Sequence, residues 1–314
     1  MKSNRLKAYG ALAVVCVVWG TTYLGISIGV DHFPPLMFSV VRLLLAGGLI
    51  AVVMFRKIQW RELTPTVLLH QATAGLFLFG IGNGLVSVAQ VGINSGTASV
   101  IGSMIPVWVI LFNRIFKTSE QVTPGIILGT IIGLGGIYLI FSEHAGFKES
   151  KALIGMASMF GAGMAFAGGS VWIKSRKLAL DPFGSSAVQM LTGGLLLLPL
   201  SLATEDWSTA IINTKTILVI AYLVTFGSII GFFCYLYAIR RLPVTIVSLY
   251  AYVNPIVAVL LGGLLLSEPL SGRVFTGMLI TLGAVYVVNR GVSLTELLPS
   301  GLRKKGTQET KEKN

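Results

Sequence analysis

The stretch SEQVTPGIILGTIIGLGGIYLI, residues 119–140, has a second version, SEPLSGRVFTGMLITLGAVYVV, at residues 267–288. The two stretches lie 148 positions apart and share seven identities in 22 positions. Shared apolar composition alone would give roughly two or three. Further matches lie upstream, at nearly the same offset: Pro35, Arg42, Ser99 and Pro106 align with Pro182, Gln189, Ser248 and Pro255. The sequence therefore predicts a duplication that covers nearly the whole chain.

The composition is that of a membrane protein. Hydrophobic residues make up 54% of the 314 positions, charged residues only 11%, and 37 residues are glycine, which does not describe a soluble domain. Apolar stretches of about 20 residues, long enough to cross a bilayer core of roughly 30 Å, recur along the chain. We predict spans at about 7–28, 36–55, 66–91, 93–116, 123–142, 152–173, 183–203, 215–238, 244–266 and 272–290.

These ten spans divide equally between the two copies. The predicted fold class is an all-α membrane protein with ten transmembrane helices in two five-helix repeats, residues 1–146 and 147–292, followed by a cytoplasmic tail, 293–314. An odd number of spans per copy makes the second copy enter the membrane from the opposite side. The result is an inverted repeat, as in many secondary transporters.

The distribution of basic residues tests this topology independently. With both termini in the cytoplasm, nineteen Lys and Arg residues fall on the inner side and only Lys148, Lys151, Lys215 and Arg273 on the outer side. This bias follows the positive-inside rule. The net charge of +12 is then mostly topology, with anionic lipid as its partner. Nucleic-acid binding is not expected, because the charges are scattered over short loops.

Several other functions find no support in the residues. All twelve acidic residues fall in loops or at span ends, so no buried carboxylate is available to carry protons or cations. The three histidines form no nucleophile–base pair with other residues, and no enzyme activity is expected. Cys16 and Cys234 fall inside spans as small packing residues. We expect no cofactor and no metal ion.

Arg42 is the one basic residue that falls clearly inside a predicted span. It lies six residues beyond Leu36, about 9 Å along the helix at 1.5 Å per residue. Burial of this charge would cost about 3 kcal/mol on insertion scales. Its side chain either snorkels to the outer interface, where it can bond helix-end carbonyls, or contacts a substrate carboxylate. Its repeat partner Gln189 is uncharged, so the second half of the chain has no residue that repeats the role of Arg42.

Polar and aromatic residues recur at helical spacing on matched spans of the two halves. Interhelical packing explains any one of them as well as ligand contact does. Their concentration near the interface between repeats predicts a substrate cavity there. The predicted cavity residues are Trp19, Tyr23, Asn83, Ser87, Gln90, Ser99, Ser103, Phe166, Ser170, Tyr235, Ser248, Tyr252 and Asn254.

Two prolines in matched positions, Pro106 and Pro255, are predicted to bend their helices. Each removes one backbone hydrogen bond and leaves the carbonyl four residues earlier, of Gly102 or Ala251, without its helical partner.

An ordered set of these residues resembles the EamA-type drug/metabolite transporters. It comprises Trp19-Gly20-Thr21-Thr22-Tyr23, Pro35 through Arg42 to Ala46, Pro106 with Glu120, Asn254-Pro255, and Gly262 to Glu268-Pro269-Leu270. The resemblance covers about residues 7–290. It implies a ten-helix bundle with cytoplasmic termini, a cavity formed chiefly by spans 1, 3, 4, 6, 8 and 9, and export of amino acids or related metabolites. One departure is that Pro106 to Glu120 is one residue longer than Pro255 to Glu268.

The function predicted from the sequence is secondary transport of a small neutral or zwitterionic metabolite by alternating access, outward across a bacterial inner membrane. Trp, Tyr, Asn, Gln and Ser without a fixed acid suit such a molecule. Three alternatives remain: a passive channel, a carrier of phosphorylated or nucleotide sugars, and a non-transporting membrane scaffold. The sugar carrier would need several buried basic residues, and the chain offers Arg42. The sequence does not specify the oligomeric state.

Overall fold

The computed structural model describes residues 2–53, 55–56, 60–116, 118, 120, 122–141, 150–176, 180–266 and 272–297. The predicted tail from residue 298 onward and Glu268, the repeat partner of Glu120, lie outside the described residues. Over the described part, all regular structure is helical.

The helices follow the apolar stretches of the sequence. Short connections separate them, two of which hold the 3₁₀ turns Trp60–Glu62 and Trp207–Thr209. The helices are α1 (Lys2–Val30), α2 (Pro35–Val53), α3 (Pro65–Gly92), α4 (Ser95–Ile115), α5 (Pro124–Phe141), α6 (Ser150–Arg176), α7 (Pro182–Thr204), α8 (Thr214–Ile239), α9 (two pieces, Val244–Val247 and Tyr250–Leu266) and α10 (Gly272–Leu297).

Seven of these helical segments are long and apolar enough to cross a membrane, and they coincide with predicted spans 1–4 and 6–8. Three shorter apolar helical stretches lie where spans 5, 9 and 10 were predicted: Pro124–Leu139, Val244–Ala258 and Phe275–Val288. These counts refer to the described residues. The prediction of an all-helical membrane protein is confirmed at this level.

Helix packing follows a paired pattern. Helix α5 lies along α10, and α2 lies along α7. Helix α3 packs on α6 as α8 packs on α1, and α4 packs on α6 as α9 packs on α1. Glycine permits the closest of these approaches, because it lacks a side chain. A Cβ added at Gly129 of α5, for example, would lie 2.6 Å from the side chain of Val288 on α10.

Two of the helices contain π-helical segments in matching positions. Leu76–Asn83 of α3 and Leu223–Ile230 of α8 are each eight residues long and lie 147 residues apart. A glycine lies within the first segment, Gly82, and directly after the second, Gly231. A Cβ added at Gly82 would lie 2.9 Å from the carbonyl oxygen of Phe77, and one at Gly231 would lie 3.0 Å from that of Phe226. Such segments are rare and frequently occur at functional sites.

Helices α4 and α9 are both interrupted, but at different points relative to their prolines. Helix α4 breaks at Ser103–Met104, and Pro106 occupies the first turn of the piece that follows, where a missing N–H costs little. Helix α9 breaks at Ser248–Leu249, and Pro255 lies inside the piece that follows. The sequence did not indicate this difference.

Candidate functional site

A cavity lies among α1, α2, α3, α4, α6, α8 and α9, with an empty volume of about 720 Å³, part of it continuous with solvent. It reaches from the middle of the bundle toward the end where α1 stops at Val30, which we call the Val30 face. The opposite end is called the Lys174 face. The lining residues are Trp19, Thr22, Tyr23, Ile26, Arg42, Phe79, Gly82, Asn83, Val86, Ile105, Met159, Ala162, Gly163, Phe166, Gly227, Ser228, Phe232, Tyr250 and Asn254.

An aromatic cluster around Trp19 forms the floor of the cavity. The Trp19 ring lies edge-on to Tyr250 and Phe166, with centroid distances of 4.9 Å and 5.6 Å. It is tilted against Tyr235 at 5.1 Å and stacked on Phe232 at 6.2 Å. Mutually packed rings of this kind hold one another in place, since each pair adds about 0.5–1.5 kcal/mol beyond its area burial. The floor is therefore apolar and pre-organised.

The π-helical segment of α8 fixes the orientation of Trp19. Nε1 of Trp19 donates a hydrogen bond of 3.0 Å to the carbonyl oxygen of Gly227. Gly231, one wide turn further on, leaves room for the indole, because a Cβ there would lie 2.5 Å from Nε1. The irregular backbone of α8 thus supplies both the hydrogen-bond acceptor and the space that Trp19 needs.

The matching π-helical segment of α3 contributes the polar side of the cavity. Its last residue, Asn83, accepts a hydrogen bond from Nη2 of Arg42 through Oδ1 and donates through Nδ2 to the carbonyl of Leu78 at 3.2 Å. Ser39 of α2 donates to the carbonyl of Asn83 at 3.2 Å and bonds the hydroxyl of Ser87 at 2.7 Å. These contacts tie α2 to α3 beside the cavity.

Hydrogen bonds close the bundle at the Lys174 face. Lys174 Nζ donates to the carbonyls of Ile239 at 2.9 Å and Leu242 at 2.7 Å, which joins the end of α6 to the end of α8. Directly beneath the aromatic floor, the hydroxyl of Tyr235 donates to Ser170 Oγ. Both residues are buried, so this hydrogen bond joins α6 to α8 in a layer between the cavity and the Lys174 face.

Glu120 closes the same face between the two halves of the chain. Its carboxylate accepts from the backbone N–H groups of Val244 at 2.6 Å and Thr245 at 3.2 Å, at the start of α9. Asn113 at the end of α4 lies 3.4 Å from the hydroxyl of Thr245. A carboxylate at a helix N-terminus complements both the free N–H groups and the helix dipole.

A second buried polar cluster surrounds Gln189 of α7. Gln189 Nε2 donates to Gln71 of α3, and Gln71 donates to Ser185 at 2.9 Å. Arg240 donates to the same Ser185 hydroxyl at 2.7 Å. Burial lowers the pKa of Arg240, and the charge of Asp181 opposes that effect. Unlike the Arg42 cluster, this one does not line the cavity.

The structure brings six of the sequence-predicted site residues to the cavity surface: Trp19, Tyr23, Arg42, Asn83, Phe166 and Asn254. Two others, Ser170 and Tyr235, bond each other beneath the floor.

The remaining predicted residues make other contacts. Ser99, Ser103 and Ser248 donate to carbonyls three residues earlier on their own helices. Tyr252 lies 3.3 Å from the carbonyl of Thr130 on α5. Ser87 pairs with Ser39, and Gln90 is buried with no partner among the described residues.

Sequence reasoning missed several lining residues, notably Tyr250, Phe232, Ser228 and Gly227. Tyr250 follows the break in α9, and the other three lie in or beside the π-helical segment of α8. A regular 3.6-residue period does not predict which face such residues occupy. The repeated Phe-Gly pairs, Phe79-Gly80 and Phe226-Gly227, were a signal that could have drawn attention to these segments.

Comparison with known proteins adds independent findings. The model of the EamA-like transporter family matches twice, at residues 6–142 and 153–290. The uncharacterized inner membrane transporter YedA of Escherichia coli strain K12 is 35% identical over 94% of this chain and 94% of its own length. An uncharacterized transporter of Archaeoglobus fulgidus is 26% identical over 91% of this chain and 99% of its own.

Two further similarities extend over most of the chain. The protein PecM of Dickeya dadantii is 26% identical over 86% of this chain and 88% of its own. A solved crystal structure superposes with a TM-score of 0.75 over 94% of this chain and 99% of the other, at 18% sequence identity. At that identity the superposition supports the fold alone.

Proposed function

Since the chain belongs to the EamA-like transporter family and is a membrane transporter, we propose that it moves small neutral or zwitterionic metabolites, such as amino acids, by alternating access. The observation that carries this proposal is the central cavity, with its apolar floor and a few polar groups, which is typical of small-molecule sites. With an empty volume of about 720 Å³, part of it open to solvent, the cavity has room for a small molecule such as an amino acid.

The proposal includes two inverted five-helix repeats, 1–146 and 147–292. Three observations support it: the family model matches each half separately, the π-helical segments recur 147 residues apart, and the helix contacts pair as such a repeat requires. The seven long and three shorter apolar helices are compatible with ten spans. Inverted repeats place substrate at the interface between the halves, where this cavity lies.

We also propose that the Lys174 face is cytoplasmic, with both termini there, in a bacterial inner membrane. Arg114, Lys174, Arg176, Arg240 and Arg241 lie at helix ends on this face, and the positive-inside rule favours such a side. The relative from Escherichia coli bears the name of an inner membrane transporter. The structure then corresponds to a state closed toward the cytoplasm, in which the layers at Tyr235–Ser170 and at Glu120 would have to part to expose the cavity there.

Counterflow in proteoliposomes tests the proposal. Vesicles preloaded with a mixture of amino acids and neutral metabolites are mixed with labelled external counterparts, with and without a pH gradient, and exchange is followed by mass spectrometry. Saturable exchange of one chemical class, lost in Trp19→Ala and kept in Trp207→Ala, is the expected result, because Trp19 forms the cavity floor and Trp207 lies in a 3₁₀ turn and is not among the lining residues. Flux that never saturates would support a channel, and no exchange would contradict transport of these molecules.

A further inference from the structure

The guanidinium of Arg42 is buried and under-bonded. Its side chain is 4% exposed and lines the cavity. Of the five N–H donors that an arginine carries, one at Nη2 binds Asn83, and Nε has no partner among the residues that the structure describes. A buried donor without an acceptor is costly, and a buried charge more so.

No carboxylate neutralises this charge within the described residues. The acid closest to the start of α2 is Glu205, but its two oxygens accept from the N–H groups of Leu36 and Met37, each at 2.7 Å. The hydroxyl of Ser201 donates to it as well, at 2.8 Å. Glu205 therefore serves as the cap of α2. The Arg42 side chain does not snorkel to the interface, because it bonds Asn83 of α3 inside the bundle.

Asn83 orients Arg42 without neutralising it. Nδ2 of Asn83 donates to the carbonyl of Leu78 within the π-helical segment, so Oδ1 is the atom left to face the guanidinium. Ser39 and Ser87 fix the same turn of α3 against α2. Asn83 thus orients the cation at the cavity wall, and such pre-organisation lowers the entropy cost of binding a ligand there.

We propose that Arg42 binds the carboxylate of the transported substrate, so that the cavity selects metabolites that carry a carboxylate over their uncharged counterparts. The rest of the molecule then lies against the aromatic floor of Trp19, Tyr250 and Phe232, where an apolar side chain packs and an ammonium group meets ring faces. This inference rests on the proposed transport function and narrows its substrate from neutral or zwitterionic molecules to carboxylate-bearing ones.

The chemistry of the site favours a single carboxylate over a phosphate. A guanidinium binds either in bidentate fashion, but a dianionic phosphate in an apolar cavity would need further cations. Among the described lining residues, Arg42 is the only basic one. One cation balances one monoanion, and the polar neighbours, Asn83, Ser228 and Asn254, suit hydrogen bonds to a small polar head group.

Paired ligands test the proposal on the unmodified protein. Full-length protein in nanodiscs is titrated with L-amino acids and 2-hydroxy acids, each beside its own amide, which keeps the side chain and loses the carboxylate. Binding is followed by isothermal calorimetry and by the shift in unfolding temperature. We expect at least one acid to bind about tenfold or more tightly than its amide. The reason is that the amide lacks the charge-assisted hydrogen bond to Arg42. Amides that match their acids, no binding by any acid, or tighter binding of inorganic phosphate would overturn the proposal.

Three variants locate the effect. Arg42→Gln introduces the residue found at the repeat-related position and should abolish the preference for acid over amide. Arg42→Lys keeps the charge and should retain part of it. The control is Arg290→Gln, which removes a cation from the exposed Arg290–Tyr286 pair and should leave the preference unchanged. A preference that persists in Arg42→Gln would assign the carboxylate to another group and overturn the inference.

Counterflow run in parallel separates this inference from the transport proposal. A protein that binds acids through Arg42 but exchanges nothing has the carboxylate site without the proposed function. A protein that exchanges only uncharged molecules is a transporter in which the assignment of Arg42 is wrong.

Discussion

The polar clusters around Arg42 and Gln189 occupy matched positions in the two halves and have opposite characters. Arg42 reaches the cavity with one hydrogen bond and no carboxylate partner among the described residues. Gln189 lies away from the cavity in a chain of amide and hydroxyl groups that continues to Arg240. Matched backbone positions therefore place a charge at the cavity in one half, at Arg42, and an internally hydrogen-bonded amide in the other, at Gln189.

The largest effect is expected from moving the charge to the other cluster. Gln189→Arg would bury a cation close to Ser185 and Arg240, where the charge of Asp181 already acts on Arg240. The cost should be about 3 kcal/mol, as for a basic residue at membrane depth. Thermal unfolding monitored by size-exclusion chromatography should show a large fall in stability. Unchanged stability would mean that the two clusters are interchangeable.

Substitution of the glycines at the π-helical segments should lower the stability nearly as much. In Gly82→Ala, the new Cβ would lie 2.9 Å from the Phe77 carbonyl, and overpacking of this kind costs about 1–3 kcal/mol. Gly231→Ala should do more harm, because its Cβ also meets the Trp19 indole at 2.5 Å. Gly48→Ala is the control, since no atom lies within 4 Å of its Cβ. Equal unfolding temperatures for the three variants would show that the wide turns do not need glycine.

The serines beside the two clusters allow a finer comparison. Ser185 bonds Gln71, Arg240 and the carbonyl of Leu180, whereas Ser39 bonds Asn83 and Ser87. Ser185→Ala removes an acceptor from the half-buried Arg240 and from Gln71 and should cost about 2 kcal/mol, and Ser39→Ala about 1 kcal/mol. The reverse order of unfolding temperatures would contradict the expectation that Ser185, which accepts from a charged donor, is the more costly of the two serines to remove.

The smallest effect on stability is expected at Arg42 itself. Arg42→Gln removes a buried charge that has no carboxylate partner among the described residues, and this relief offsets the lost contacts of the longer side chain, so the variant should unfold within about 1 kcal/mol of wild type. Asn83→Leu, which leaves the arginine in place without its acceptor, should be clearly less stable. A strong loss of stability in Arg42→Gln would instead assign Arg42 a structural role, as a link between α2 and α3.

The sequence by itself determined the helical membrane fold, because hydrocarbon requires every backbone group to bond within a helix and apolar length alone marks the spans. It also singled out Trp19, Arg42 and Asn83, since charged or amphipathic groups are conspicuous against an apolar background. These three residues line the cavity in the structure. The inverted orientation of the two halves remains a prediction from span parity and charge.

Only the tertiary structure decided which polar residues meet in one place. Tyr252 and Ser248 are side chains of the kind that line small-molecule cavities. In the structure, however, Tyr252 bonds α5 and Ser248 bonds its own helix. Tyr250 and Gly227 were not among the residues predicted from the sequence, and both line the cavity. The reason is physical: a π-helical turn or a break rotates everything beyond it, so the face that a residue presents depends on backbone irregularities that a regular helical period cannot anticipate.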